Sequence, residues 1–325
     1  MRNSSRPPAG GPAAALERPA TGHPLSQTAR YLVRSWELYV FILPAVVHIF
    51  LFKYLPIYGL SIAFTDGFSL RTGRSAPEWN NFAHFLRFFD SAFFVPVIRN
   101  TVVIALYSLA TWPIPLALAL MMNEARNRHF RKAVQMATYA PYFISTVVVV
   151  SMLTVFLSPR IGVINSFIKL LGGDAIFFMA SPSWGPTLFV LSELWQNAGF
   201  GAIIYLAALS AVDPQLREAA FCDGAHKLRI IWHVDLPWIT PTIVILFIMR
   251  LGQLLTIGFE KVLLMQNNLN ITTMEVVSTY VYRSGIQQAQ YDYATAVGLL
   301  ETVANFALLV TANRLARHFG QTSLW

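Results

Sequence analysis

The sequence predicts an all-α membrane protein of six transmembrane helices, and three observations carry that prediction. Of its 325 residues, 55% are hydrophobic and only 12% charged, and the mean hydropathy is positive, which lies outside the usual range of soluble domains. Six apolar stretches reach the roughly 20 residues that a helix needs to cross about 30 Å of hydrocarbon. Lys and Arg sort by side: with an internal N-terminus, fourteen of the 24 fall in the segments predicted inside and six in the external loops.

The predicted spans lie near 37–62, 99–122, 136–157, 186–211, 240–263 and 294–313. Arg126, Arg128, Arg131 and Lys132, in one short loop, are the strongest topological anchor. The stretch 163–180 is apolar in parts, but Lys169, Gly172, Gly173 and Asp174 break it, so it reads as an external interfacial or re-entrant element. Residues 1–35, rich in Pro, Ala, Gly and Arg without a signal-peptide core, read as a disordered cytoplasmic tail. Residues 36–94 hold the first transmembrane helix and an external loop, and 316–325 a second cytoplasmic tail. The net charge of +8 is scattered between apolar blocks, which argues against nucleic acid as a partner and leaves membrane lipid as the surroundings. The single cysteine, Cys222, can form no internal disulfide and matches no metal-ligand spacing, so no metal site and no catalytic group are expected.

Between the fourth and fifth predicted spans runs a polar insertion, 213–237, that reads as two short helices meeting at a corner. Asp213 can cap the first helix, with Pro214 at its first position and Glu218 about a turn further on. Gly224 supplies a left-handed residue to end it, and a second helix from about His226 to His233 should stop at Leu236-Pro237. Leu216, Ala219 and Ala220 on the first helix and Leu228, Ile231 and Trp232 on the second give apolar faces. An exposed apolar face on a cytoplasmic loop implies a docking partner.

Glu218-Ala219-Ala220, then Gly224, then Val234-Asp235-Leu236-Pro237 resemble the EAA loop of ABC importer permeases, with Val234 in place of the commoner Ile. The resemblance covers roughly 95–315. Arg250-Leu251-Gly252-Gln253, Gly258 to Leu264, Thr279 to Arg283 and the ending Asn313-Arg314-Leu315-Ala316 make it similar to the LplB-type permeases of complex-carbohydrate importers. The resemblance implies a type I, MetI-like transmembrane fold in a bacterial inner membrane, carrying oligo- or polysaccharide. It also implies a second homologous permease, two ATPase subunits and a periplasmic or lipid-anchored solute-binding protein. In that reading Glu218, Ala219, Ala220, Gly224, Leu228, Ile231, Trp232, Leu236 and Pro237 transmit motion from the ATPase. No Gly-x4-Gly-Lys-Ser/Thr loop occurs, so the chain itself takes no cofactor and ATP and Mg belong to the partner ATPase.

Polar residues inside the spans are costly and ask for a partner or a water-filled path. Arg250, Gln253, Thr256 and Glu260 recur at helical spacing and predict one stripe on the fifth span, with Arg250 near the bilayer midplane. Glu193, Gln196 and Asn197 beside Trp195 form a second stripe, and Glu301 with Asn305 a third. One reading lines a sugar path with these groups, Trp195 or Tyr205 stacking on pyranose faces. Arg250 would then suit a uronic acid, as in alginate or pectin fragments. The competing reading is inter-helix bonding, with Glu193 or Glu301 neutralising Arg250. The rival function is an ion-coupled secondary transporter, which would need inverted repeats that the sequence does not display.

Overall fold

The computed structural model describes residues 35–66, 78–320 and 322–324; apart from Ser35, the expected N-terminal tail lies outside them. The chain forms two units, Met1–Gly59 and Leu60–Trp325. In the first, an apolar helix Trp36–Ile49 passes into a π turn, Phe50–Tyr54. The second unit holds a minimal antiparallel ribbon pairing Thr65 with Trp79, and a bundle of helices.

Four helices are long and apolar enough to cross a membrane alone: Trp36–Phe64, Phe94–Glu124, Lys227–Leu251 and Tyr291–His318. Two bent pairs, Arg128–Phe143 with Thr146–Phe156 and Gly185–Ser210 with Pro214–Cys222, raise the number to as many as six if each pair is one span. The predicted third span is therefore not one straight helix. It bends by 102° where Pro141, in the 3-10 turn Ala140–Phe143, lacks an N–H for the helical ladder and Ser145 caps a new helix. Between the third and fourth spans the chain makes only an eight-residue helix, Val163–Leu170, pinned by Asn165, whose amide bonds the backbone of Leu157 and Ile176.

The fifth span departs most from expectation. The second short helix does not stop at Leu236-Pro237; Lys227–Ile230 runs through a π segment, Ile231–Asp235, into Leu236–Leu251. A proline ring clashes with the carbonyl four residues back, here that of His233, and the widened π turn falls on that residue. Pro56 follows the Phe50–Tyr54 π turn at the same offset. The helix then ends at Leu251, and 252–258 is irregular before Phe259–Met265. The single stripe predicted through Arg250, Gln253, Thr256 and Glu260 does not form, because the helix that would align them is interrupted. The sixth helix, Tyr291–His318, extends into the expected C-terminal tail.

Small residues set the close approaches. A Cβ at Gly199 would collide with the Thr138 carbonyl, so the fourth span packs backbone to backbone on the Arg128–Tyr139 helix. At Gly252 a Cβ would meet the Leu309 side chain at 2.7 Å, which presses the break in the fifth span against the sixth. Ala119, Met122, Ala202, Tyr205, Leu209 and Ile239 make a buried cluster joining spans two, four and five near the loop.

Candidate functional site

The 213–237 loop is built as its residues dictate. Asp213 accepts the backbone N–H of Gln215 at 2.9 Å, Pro214 opens the helix Pro214–Cys222, and Gly224 ends it at φ +79°. The turn closes by Ala225 N–H donating to Ala220 O at 3.0 Å, a Schellman closure whose positive φ suits glycine. His226 caps the next helix, its Nδ1 accepting from Arg229 N–H at 3.3 Å. Glu218 and Ala219 face solvent and Ala220 is half-buried. Leu228 and Trp232 are 73% and 69% exposed, Ile231 and Leu236 are partly covered, and Pro237 is exposed at the start of Leu236–Leu251. Phe221, 73% exposed and absent from the apolar face read from the sequence, joins Leu228 and Trp232 as a large exposed apolar side chain.

A cavity of about 430 Å³ lies among spans two, four and five, lined by Glu193, Asn197, Tyr205, Arg250 and Gln253 together with Trp112. Six of the predicted path residues lie off it. Trp195 is exposed elsewhere on the fourth span, and Gln196 is buried, donating to Ile144 O at 2.8 Å. Thr256 accepts from Asn305 Nδ2 at 2.9 Å, while Asn305 Oδ1 accepts the Leu255 N–H at 3.0 Å, so the two polar groups pin the irregular 252–258 segment to the sixth span. Glu260 is exposed beyond the break, and Glu301 borders a separate, mainly apolar cavity of about 220 Å³.

Neither predicted carboxylate neutralises Arg250. Glu193 pairs with Lys261 at 2.8 Å, and Lys261, 3% exposed, also donates to Gln196 Oε1 at 2.9 Å. Asn197 completes the group by donating to Glu193 Oε1 at 2.8 Å. Lys261, in the helix Phe259–Met265, and Glu193, in Gly185–Ser210, are 68 positions apart, so no local spacing announced the pair. Arg250 is exposed in the cavity wall and has no carboxylate within ion-pair distance among the described residues. It is the penultimate residue of its helix, about 20 Å beyond Pro237 at 1.5 Å per residue. Interrupted helices exposing polar groups at membrane depth are tolerated where they line protein or water-filled cavities. Among the described residues, no cluster of three or more His, Cys, Asp or Glu side chains is arranged to hold a metal.

Residues 114–322 match the family of binding-protein-dependent transport system inner membrane components. The chain belongs to that family. It is a transmembrane subunit of an ABC importer, working with an ATPase and a solute-binding protein, and is not itself an enzyme. The polygalacturonan/rhamnogalacturonan transport system permease protein YteP of Bacillus subtilis is 42% identical over 90% of this chain and 92% of its own length. LplB of the same organism is 41% identical over the same shares. In a solved structure of a bacterial alginate ABC transporter in complex with an alginate pentasaccharide-bound periplasmic protein, one chain is 37% identical. It superposes with a TM-score of 0.83 over 91% of this chain and 99% of that one. The expected MetI-like permease fold and LplB resemblance hold, and nothing in these matches supports an ion-coupled transporter.

Proposed function

We propose that this permease passes uronate-bearing oligosaccharides across the bacterial inner membrane, with its termini and the 213–237 loop on the cytoplasmic side. The observation that carries the acidic substrate is the unpaired Arg250 guanidinium in the cavity wall. An arginine at membrane depth asks for an anion or a water-filled path, and its planar fork matches a carboxylate with two parallel hydrogen bonds. Gln253 and Asn197 supply amides for sugar hydroxyls, and Trp112 and Tyr205 supply flat apolar walls, the mixture usual in small-ligand sites. Polygalacturonan and alginate, named for the relatives, are polymers of uronic acids, which supports the same reading.

The loop docks on a partner ATPase, which binds ATP and Mg. Phe221, Leu228 and Trp232 are the apolar anchors, and Glu218 is the charged contact. One such loop occupies one cleft, so the assembly contains a second homologous permease and two ATPase subunits, fed by a periplasmic or lipid-anchored binding protein. The positive-inside count supports the orientation.

The test is uptake by the reconstituted transporter carrying Arg250→Ala, offered alginate pentasaccharide and neutral maltopentaose. Loss of a charge-assisted bond predicts an about tenfold or greater fall in acidic uptake relative to neutral. An unchanged preference would remove Arg250 from the path.

A further inference from the structure

Beneath the loop, four charged side chains from three elements meet. Arg217 on the first short helix bonds Glu124, the last residue of the second span's Pro113–Glu124 helix. Its Nη2 also lies 3.6 Å from Asp235 Oδ2, in the π segment at the base of the fifth span. Lys227 Nζ stands 3.5 Å from the other Glu124 oxygen. Asp235 is fully buried, yet among the described residues neither of its carboxylate oxygens has a hydrogen bond. Native structures seldom leave a buried carboxylate unbonded, so an orphan beside a guanidinium needs a reason.

We propose that Arg217 is a positioning residue with two seats, Glu124 and Asp235, and that displacement of the loop hands it from one to the other. The geometry supplies both ends of the exchange. A shift of about 1 Å would bring the guanidinium within charge-assisted bonding range of Asp235. Glu124 would not be stranded, because Lys227, 55% exposed and free to move, closes on its second oxygen. In the first seat the loop is tied to span two; in the second it is tied to span five, whose helix runs unbroken from Lys227 to Leu251 beside Arg250. Two discrete arrangements of packed charge are what converts a small displacement into an all-or-none one. Arginine suits the role because its fork can engage both carboxylates during the exchange, which a point-charge lysine cannot.

The inference rests on the loop docking on an ATPase, so the experiment reads docking and exchange separately. The complete reconstituted transporter is prepared with Asp235→Asn, which leaves the Glu124 seat intact, and with Arg217→Lys, which keeps the charge but loses the fork. Co-purified ATPase is measured first, then ATP hydrolysed per alginate pentasaccharide imported. Both variants should retain the ATPase at the wild-type level while that ratio rises at least about fivefold, the low end of ordinary coupling energies. A merely structural role would lower the yield of complex and leave the ratio alone. ATPase retained with an unchanged ratio in either variant overturns the two-seat exchange, whereas ATPase missing from the wild-type complex overturns the docking reading beneath it.

Discussion

Lys261 and Glu193 show how a single pair decides what a cavity can do. Lys261, 3% exposed, is held by Glu193 and Gln196, and by occupying Glu193 it leaves Arg250 without a carboxylate in ion-pair distance among the described residues. Breaking a buried pair strands the remaining charge, at about 3–5 kcal/mol when both partners are dry. Glu193 keeps 40% of its side chain exposed, so Lys261→Met should cost nearer 2 kcal/mol, read as a lower thermal midpoint of the purified permease. Adding Glu193→Gln should return part of that loss. An unchanged midpoint in Lys261→Met would mean that the pair contributes nothing.

A second residue-scale prediction concerns Glu275, in the segment between spans five and six and 2.7 Å from Arg283. Burial pushes its carboxyl above the usual range, against the lowering pull of Arg283. A carboxyl raised in the folded state binds its proton more tightly there than in the unfolded chain, so its contribution falls as pH rises through the window above 4.5. Glu275→Gln should flatten that part of the stability profile, checked by thermal unfolding between pH 4 and 8. A steeper slope in the variant would contradict the assignment.

At the scale of elements, the loop was legible because its signals are local. Asp213-Pro214 and Gly224 fix a cap and a left-handed turn regardless of what surrounds them, and both stand where the residues put them. Pro237 misled because a π segment accommodates the ring and lets the helix continue. The interruption at 252–258 was hidden for another reason. Arg250, Gln253, Thr256 and Glu260 keep helical spacing, and the break is fixed from outside, by Asn305 bonding Leu255 and Thr256 from the sixth span. Of the predicted path, Glu193, Asn197, Tyr205, Arg250 and Gln253 share a cavity, while Trp195, Gln196, Thr256, Glu260, Glu301 and Asn305 do not. Periodicity names a face of a helix, but only the packing of several helices says which face is hollow.

The corner itself yields an element-scale prediction. Beyond its two chain neighbours, no atom lies within 4 Å of where a Cβ on Gly224 would stand, so substitution there is opposed by backbone conformation alone. Gly224→Val should strain the turn by about 1–3 kcal/mol and shift the angle between the two short helices while the spans still insert. Gly224→Asn, which tolerates the left-handed region, should retain coupling, and equal loss in both variants would remove the conformational argument.

On the scale of the whole molecule, the six spans were readable from hydropathy because lipid leaves the backbone few alternatives to helix. How the chain joins a loop to a cavity was not readable. One helix from Lys227 to Leu251 starts in the loop and ends beside Arg250, so displacement of the loop reaches the cavity wall without crossing a flexible joint. Transport should therefore fail when either end is altered, with different signatures: Arg250→Ala changes which sugar moves, while loop variants change whether hydrolysis moves any. The most direct test sets ATP hydrolysis and alginate pentasaccharide uptake side by side in the same proteoliposomes, for the complete wild-type transporter and for Glu218→Lys combined with Gly224→Val. The wild type should show ATP-dependent accumulation, and the double variant either weak ATPase binding or hydrolysis without accumulation. Wild-type hydrolysis and uptake in the double variant would contradict it.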